Sequence, residues 1–379
     1  MVAKTGELAE LLEPSSTILG SHVKRWKEQG GKVVGYFCSY VPEEIISAAG
    51  ILPFRMRGTG STETSLADTY LSAYNCTFAR HCLDLAFSGT YDFLDGVVVI
   101  NSCDHVRRLY DIWRRKMRTP FVHLLTAPHL AGDEHVGWFR DELAILKEGL
   151  EKHFGVAITP EKLRESIRTQ NETRKLQKQL YELRKEPSPP ITGADTLGVV
   201  VTSTAMPKQP YNELLRRLLG ELDGREGEST YRARLLLVGS ILDDPAYASV
   251  IEDLGGLVVT DSLCFGTRIF WNQVDEQAKD PMEAIARYYL KERPPCARMI
   301  GDHPRRLEFV REMLDAFKVD GVVFQRLKFC DLWGGEGYML RRALREAGIP
   351  VLSLEREYVL SGLGQLKTRV QAFLESIAG

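Results

Sequence analysis

The sequence predicts an α/β protein with two Rossmann-like or flavodoxin-like domains, each built on a mostly parallel sheet. Two observations indicate this fold class. Short apolar, β-branched runs alternate with longer helical patterns, which is typical of parallel sheets covered by helices. The alternation is interrupted once, at Glu186-Pro187-Ser188-Pro189-Pro190, the densest proline cluster in the chain. We therefore expect two α/β domains with a cleft between them.

In the first half, a polar helical segment precedes the first apolar run. Pro42-Glu43-Glu44 has the proline and the acidic residues that favour the start of a helix. Apolar runs predict strands at residues 32–38, 96–100 and 121–125. Helical spacing predicts helices at residues 1–30, 42–49, 65–88, 104–117, 134–154 and 160–185.

The second half repeats the pattern after the proline cluster. Strands are predicted at residues 235–238, 257–259, 322–325 and 350–354. Helices are predicted at residues 246–254, 281–291, 304–317, 338–347 and 365–377. The expected organisation is an N-terminal helical segment, a first α/β domain, a long helix with a Pro-rich linker, and a second α/β domain, at residues 1–30, 31–158, 159–230 and 231–379.

Composition narrows the class of protein. The chain has 379 residues, with 49 Lys and Arg against 51 Asp and Glu. The formal net charge of −2 gives the protein no overall attraction to nucleic acid or to an acidic membrane. No apolar run approaches the roughly 18 residues of a membrane span. The first residues lack the apolar core of a signal peptide. We expect a cytoplasmic protein that binds neither nucleic acid nor membranes.

The placement of the seven cysteines is the strongest functional signal. No CxxC pair is present, which excludes a zinc ribbon or a bacterial ferredoxin motif. Four cysteines directly follow predicted strands: Cys38, Cys103, Cys264 and Cys330. In open parallel sheets, ligands bind beyond the carboxyl ends of the strands, where helix N-termini also stabilise negative charge. This pattern favours an anionic, thiolate-ligated centre in the cleft between the domains.

The other cysteines have different surroundings. Cys76 falls late in a predicted helical region, and Cys296 follows Pro294-Pro295 in a loop. Cys82 continues the helical pattern and is predicted to be a core residue. Thiolate ligands favour an iron–sulfur cluster over calcium or magnesium, and zinc stays open on ligand type alone. His105, near Cys103, is interpreted as a hydrogen-bonding residue and not as a ligand.

Five ordered blocks resemble a known family. They are GYFCSYVPEEII (35–46) with AAG (48–50), YDFLDGVV (91–98) with NSCDHVRRLY (101–110), DSLCFGTR (261–268), KFCDLW (328–333) and GQLKTRV (364–370). Together they resemble the 2-hydroxyacyl-CoA dehydratase family, which includes the cluster-bearing subunits of ATP-dependent benzoyl-CoA reductase. The blocks run from about residue 33 to the end of the chain.

The resemblance implies a [4Fe–4S] cluster on three cysteines, with one iron left for a non-protein ligand. By position, Cys76, Cys103 and Cys330 match those ligands. It also implies an iron–sulfur ATPase, the activator, that delivers one electron at low potential, and a related second subunit. The dehydratases convert a 2-hydroxyacyl-CoA to a ketyl radical that expels the hydroxyl group, whereas the reductases act on an aromatic acyl-CoA. We expect the dehydratase first and the benzoyl-CoA reductase subunit as its alternative.

Another branch of the same family resembles a homodimeric reductase with a double-cubane [8Fe–9S] cluster on six cysteines. Cys38, Cys264 and Cys296 occupy the three additional positions, so this alternative stays open. Two alternatives from other classes also stay open. One is an electron-relay subunit whose cluster is closed to substrate, and the other is a zinc-stabilised binding protein.

Four polar residues after the first strand are candidates for contact with the substrate. Ser39 and Tyr40 could face the cluster, or Ser39 could cap the next helix. Glu43 and Glu44 suit the first turn of a helix, and either carboxylate could instead exchange protons with a substrate.

Overall fold

Two four-stranded parallel sheets form the framework of the protein. The computed structural model describes residues 6–227 and 229–377. The first sheet has the order β2-β1-β3-β4, with β1 (Val33–Tyr36), β2 (Leu52–Arg55), β3 (Gly96–Ile100) and β4 (Phe121–Leu125). The second has the order β6-β5-β7-β8, with β5 (Ala233–Gly239), β6 (Gly256–Ser262), β7 (Gly321–Leu327) and β8 (Val351–Arg356). The predicted fold class is confirmed, while the domain boundaries stay a prediction.

Helices precede, connect and cover the strands. None of the helices in the described ranges is long and apolar enough to cross a membrane. Their bounds are α1 (Gly6–Ser16), α2 (Ser21–Glu28), α3 (Glu43–Ala48), α4 (Thr77–Phe87), α5 (Asp104–Lys116), α6 (Asp133–Phe154), α7 (Pro160–Glu182), α8 (Gly193–Ser203), α9 (Lys208–Leu222), α10 (Pro245–Glu252), α11 (Pro281–Arg287), α12 (His303–Ala316), α13 (Asp331–Glu346) and α14 (Leu363–Ile377).

Each sheet is buried on both faces, as expected for parallel strands connected by helices. In the first sheet, Val34 packs into a core with residues of α3, α6 and α7, while its neighbour Val33 packs into a second core with residues of α4 and α5. In the second sheet, Leu235 and Leu236 are divided in the same way between two cores. The alternation of side chains along a strand therefore accounts for the continuous apolar runs in the sequence.

A helical layer joins the two sheets. The long helix predicted from residue 160 is confirmed as α7, and the Thr159 hydroxyl caps it by accepting from the backbone N–H of Lys162 at 3.3 Å. The sequence did not indicate α8 and α9. These two helices pack with α1 and α7 around a separate apolar cluster. The segment that follows the proline cluster is therefore a packed part of the structure and not an open linker.

Residues at the carboxyl ends of the strands contact each other across the two sheets, as Arg55 does with the backbone oxygen of Cys264. The two central strands are β1 and β3 in the first sheet and β5 and β7 in the second. From these central strands the chain continues to opposite edges of the sheet, which creates a topological switch point between them. Contacts cross from one half to the other at this edge. The backbone N–H of Tyr358 donates to Thr77 Oγ1 at 3.0 Å, and Tyr358 Oη accepts from the backbone N–H of Gly58 at 2.8 Å.

Gly239 is essential where β5 approaches β7. Its φ is +141°, and a Cβ there would lie 1.8 Å from Gln325 O. We predict that Gly239→Ala lowers the free energy of unfolding of the metal-free chain by about 2 kcal/mol or more. The backbone strain of alanine at this φ and the steric overlap of its Cβ with Gln325 O both contribute. Gly137→Ala, in α6 with no atom within 4 Å of the added Cβ, should raise it by up to about 1 kcal/mol. Urea unfolding measures both, and an unchanged midpoint for Gly239→Ala would contradict the prediction.

Candidate functional site

Cys76, Cys103 and Cys330 each stand directly before a helix. The next residue begins α4, α5 and α13, respectively. Cys103 and Cys330 follow β3 and β7, as predicted. The expectation that Cys76 lies late in a helical region is wrong, because residues 70–76 form turns and the helix begins at Thr77. Helix N-termini carry partial positive charge, so the backbone at all three cysteines favours a bound anion.

Cys76 is buried, Cys103 and Cys330 are partly buried, and the three thiols lie near one another. Burial raises the pKa of Cys76, raises that of Cys103 to about 12 and raises that of Cys330 well above its usual value. Burial is the largest cause, and the charge of Cys76 also raises the pKa of Cys103 and Cys330. Hydrogen bonds from backbone N–H groups in the first turns of the three helices lower the pKa values instead. These N–H groups belong to Phe78, Ala79, Val106 and Trp333. The thiols are therefore neutral until a cation converts them to thiolates.

The donor set is compatible with an iron–sulfur cluster. No group of three or more His, Cys, Asp or Glu side chains within residues 6–227 and 229–377 is placed to hold one metal ion. The three thiols at three helix N-termini would offer an anionic cluster thiolate ligands and surrounding positive potential.

Cys38, Cys264 and Cys296 line the same region. Cys38 and Cys264 follow β1 and β6, and Cys296 lies in the loop before α12. Besides burial, which is the largest cause, Cys38 raises the pKa of Cys103, and Cys296 raises the pKa of Cys38 and Cys330. The two sets of cysteines therefore form one continuous group at the facing ends of the sheets.

Four buried arginines surround this second set of cysteines: Arg55, Arg268, Arg293 and Arg298. None of the four forms an ion pair with a carboxylate of the described part of the chain. A buried charge without a counter-charge is strongly unfavourable. The arrangement therefore calls for an anionic group beside these guanidinium groups.

Unpartnered atoms of the same arginines point to the same conclusion. Arg268 donates from Nη2 to Gly239 O at 2.9 Å, and its Nε and Nη1 have no partner. Arg298 donates to the carbonyl oxygens of Pro128 and Ala127, each at 3.0 Å, and its Nε is also without a partner. Buried N–H groups are normally hydrogen-bonded, so these donors are available to an acceptor beside them.

The arginines act directly on Cys296. Burial raises the pKa of its thiol, but Arg268, Arg298 and Arg293 together outweigh burial and lower that pKa below the usual thiol value. Burial raises the pKa of Cys38, so the pKa values of these two neighbouring thiols are shifted in opposite directions.

Ser39 and Tyr40 belong to the arginine-rich region. Arg293 donates to the backbone oxygen of Ser39 and, at 2.9 Å, to its Oγ. The Tyr40 ring lies 4.5 Å from the guanidinium carbon of Arg293, and its Oη accepts from the backbone N–H of Cys296 at 3.2 Å. Ser39 does not cap the next helix, because Pro42 precedes α3. Both residues support the loops that carry Cys38 and Cys296.

Glu43 and Glu44 begin α3, as predicted, and both form buried ion pairs. Glu43 Oε2 lies 2.6 Å from Lys208 Nζ, and Glu44 pairs with Arg174. Burial raises the pKa of Glu43, but Lys208 and the Tyr36 hydroxyl outweigh it and lower the pKa below its usual value. These contacts attach α3 to α7 and α9, and neither carboxylate pairs with a group that contacts a cysteine.

Sequence reasoning was right about Cys82 and missed the arginines. Cys82 is fully buried within α4 and packs in the apolar core, which confirms that prediction. The roles of Arg55, Arg293 and Arg298 were not anticipated. The only signal in the sequence was that Arg298 lies two residues after Cys296 and that Arg268 ends the block containing Cys264.

The fold and the site define a class of protein: a parallel α/β protein with six cysteines around a buried cleft rich in positive potential. The chain belongs to the family described as 2-hydroxyglutaryl-CoA dehydratase, D-component, whose model matches residues 38–377. The resemblance noted from the sequence blocks is thereby confirmed.

Curated relatives cover nearly the whole chain. One benzoyl-CoA reductase subunit, from Thauera aromatica, is 29% identical, with 93% of each chain covered. The (R)-phenyllactyl-CoA dehydratase beta subunit of Clostridium sporogenes is 27% identical, with 94% of each covered. The beta subunit of (R)-2-hydroxyglutaryl-CoA dehydratase of Acidaminococcus fermentans is 24% identical, with 93% of this chain and 94% of the relative covered. The chain is therefore an enzyme subunit of this family.

We predict that Cys296 of the metal-free chain is alkylated by iodoacetamide with a pH inflection below that of Cys38. A lowered pKa means that the reactive thiolate is already present at lower pH. Arg268→Gln should move the inflection of Cys296 upward. Arg57→Gln is the matched control, because Arg57 is buried but bonds to the backbone oxygens of Pro14, Ser15 and Thr17. Equal shifts in both variants, read by mass spectrometry, would contradict the assignment.

Proposed function

We propose that the chain is the [4Fe–4S]-bearing subunit of a 2-hydroxyacyl-CoA dehydratase, with Cys76, Cys103 and Cys330 as the cluster ligands. The observation that carries the proposal is the position of these three neighbouring thiols at three helix N-termini. When bound, the cluster supplies a single electron at low potential. The chain's own contribution is to exclude water, to hold the three thiolates and to present positive potential around them.

The reaction proposed is elimination of water from a 2-hydroxyacyl-CoA after one-electron reduction of its thioester. Two relatives are named as beta subunits of such dehydratases, which supports this reaction. Benzoyl-CoA reduction is the alternative within the family, because one relative is named as a subunit of that enzyme. Assay of the assembled enzyme with a 2-hydroxyacyl-CoA and with benzoyl-CoA separates the two.

The proposed partners follow from the same reaction. The enzyme is completed by a second, related subunit, as the names of the relatives suggest, and an iron–sulfur ATPase delivers the electron. The acyl-CoA is the substrate. We place the protein in the cytoplasm, where all seven cysteines, which are free in the structure, would remain reduced.

We predict that the anaerobically reconstituted chain binds about four iron atoms and about four sulfides. Cys76→Ala, Cys103→Ala and Cys330→Ala should each lose the cluster and its visible absorption, because each removes one thiolate. Cys82→Ala is the matched control, since it removes a buried thiol from the same core and should keep the cluster. A fully loaded Cys103→Ala protein would remove Cys103 from the ligand set.

A second candidate is a homodimeric reductase of the same family with a double-cubane [8Fe–9S] cluster. The specific observation in its favour is the second set of cysteines, which adjoins the first and is surrounded by arginines without carboxylate partners. A larger cluster on six thiolates would carry more negative charge and would balance these buried cations.

Iron content separates the two candidates. The double cubane predicts about eight iron atoms per chain, with loss of iron in Cys264→Ala and Cys296→Ala as well as in Cys103→Ala. The single cubane predicts about four, with no loss of iron in the Cys264 and Cys296 variants. Sedimentation of the loaded protein alone then tests the homodimer.

A further inference from the structure

His105, on α5, is hydrogen-bonded to the loop that carries Cys76. It lies two residues after Cys103, and its ring is largely buried. Its Nδ1 is 3.0 Å from Asn75 Oδ1. Asn75 is itself held in place, because its Nδ2 donates to the backbone oxygen of Ser72 at 3.1 Å. His105 therefore contacts the residue immediately before Cys76.

The other ring nitrogen contacts the loop that carries Cys330. His105 Nε2 lies 2.8 Å from the backbone oxygen of Phe329 and 3.2 Å from Asp331 Oδ2. These two residues flank Cys330 on either side. One imidazole thus connects three loops that come from both halves of the chain, and each loop carries one proposed cluster ligand.

Phe329 has a strained backbone at the point where His105 holds it. Its φ is +62°, a left-handed conformation that is unfavourable for a non-glycine residue. The contact between its ring and the Tyr74 ring, with centroids 5.6 Å apart, adds a further link between the two loops. The hydrogen bond from His105 therefore helps to maintain a conformation that Phe329 would otherwise leave.

Both nitrogens of His105 face oxygen acceptors, so neither is left to bind a metal. We propose that His105 is a positioning residue that clamps the three loops and holds Cys76, Cys103 and Cys330 in the arrangement that binds the cluster. This inference rests on the proposed function, because it requires these three cysteines as ligands. Groups that orient ligands in this way affect metal affinity without touching the metal.

The first test is the rate at which a chelator removes iron from the loaded chain. His105→Ala should lose its visible absorption at least about tenfold faster than the unmodified protein, which is the usual effect of removing a group that orients a ligand. His22→Ala is the matched control, because it removes a buried imidazole on α2 that pairs with Glu10 at 3.6 Å. It should release iron at the unmodified rate.

The second test asks whether His105 acts through the backbone of Phe329. Glycine adopts positive φ without the cost paid by phenylalanine. Phe329→Gly should therefore restore much of the slow iron release when it is combined with His105→Ala. Circular dichroism of each metal-free variant verifies that the fold is retained, which distinguishes a positioning role from general loss of structure.

Each outcome decides the matter. If the unmodified chain binds no cluster, the proposed function fails before the clamp is tested. If it binds one and His105→Ala retains it equally well, or if His22→Ala loses it equally fast, the clamp is overturned. If Phe329→Gly fails to slow the release from His105→Ala, the proposed action through Phe329 is overturned. Faster release with rescue supports the clamp.

Discussion

The balance of charge in a buried cleft governs this structure. Six thiols and four guanidinium groups meet where two sheets face each other, and within the described ranges these guanidinium groups have no carboxylate partner. Burial keeps most of the thiols neutral, whereas positive charge accumulates from the arginines and from three helix N-termini. Binding of an iron–sulfur cluster would convert the neutral thiols to thiolates. The bound cluster would also supply negative charge to balance the arginines and the helix N-termini.

The repeated strand order explains how such a site forms from distant residues. Both sheets have a switch point between their central strands, and ligands bind at the carboxyl ends beside such points. Cys38 and Cys103 flank the first switch point, and Cys330 lies at the second. At the end of β5, the backbone of Gly239 approaches Gln325 of β7 closely, and the carbonyl oxygen of Gly239 accepts a hydrogen bond from Arg268. The backbone topology therefore determines which side chains meet.

The helices and strands that were predicted correctly are those whose apolar residues are spaced as their burial in the folded protein requires. Long amphipathic helices such as α6 and α7 and the central strands were identified because both faces of a parallel sheet demand apolar residues. The edge strand β2 was missed because it has four residues and contains Pro53, which weakens a strand pattern. The helix α8 was missed because Leu197 to Val201 is rich in valine, which favours strands, and only packing against α1 and α10 makes it helical.

The cysteines that are proposed as ligands could be recognised from the sequence, whereas their surroundings could not. Cysteines after strands could be recognised along the chain, whereas the start of α4 at Thr77, which makes Cys76 a helix-terminal residue, depends on contacts made far away in sequence. One such contact is the hydrogen bond from Tyr358 to Thr77. For the arginines around Cys296, the sequence showed only that two of them lie close to cysteines along the chain, because a buried arginine is recognised only when its missing partner is seen.

The position of the two halves relative to each other is therefore part of the site. Cys76 and Cys103 move with the first sheet and Cys330 with the second, so a rotation between the sheets would separate the ligands even if each domain stayed intact. Contacts from Tyr358 and His105 cross this boundary, and apolar cores that contain residues of both halves cross it as well. If the three cysteines bind a cluster, ligation would add a further link between the halves, so cluster binding is expected to stabilise their relative position.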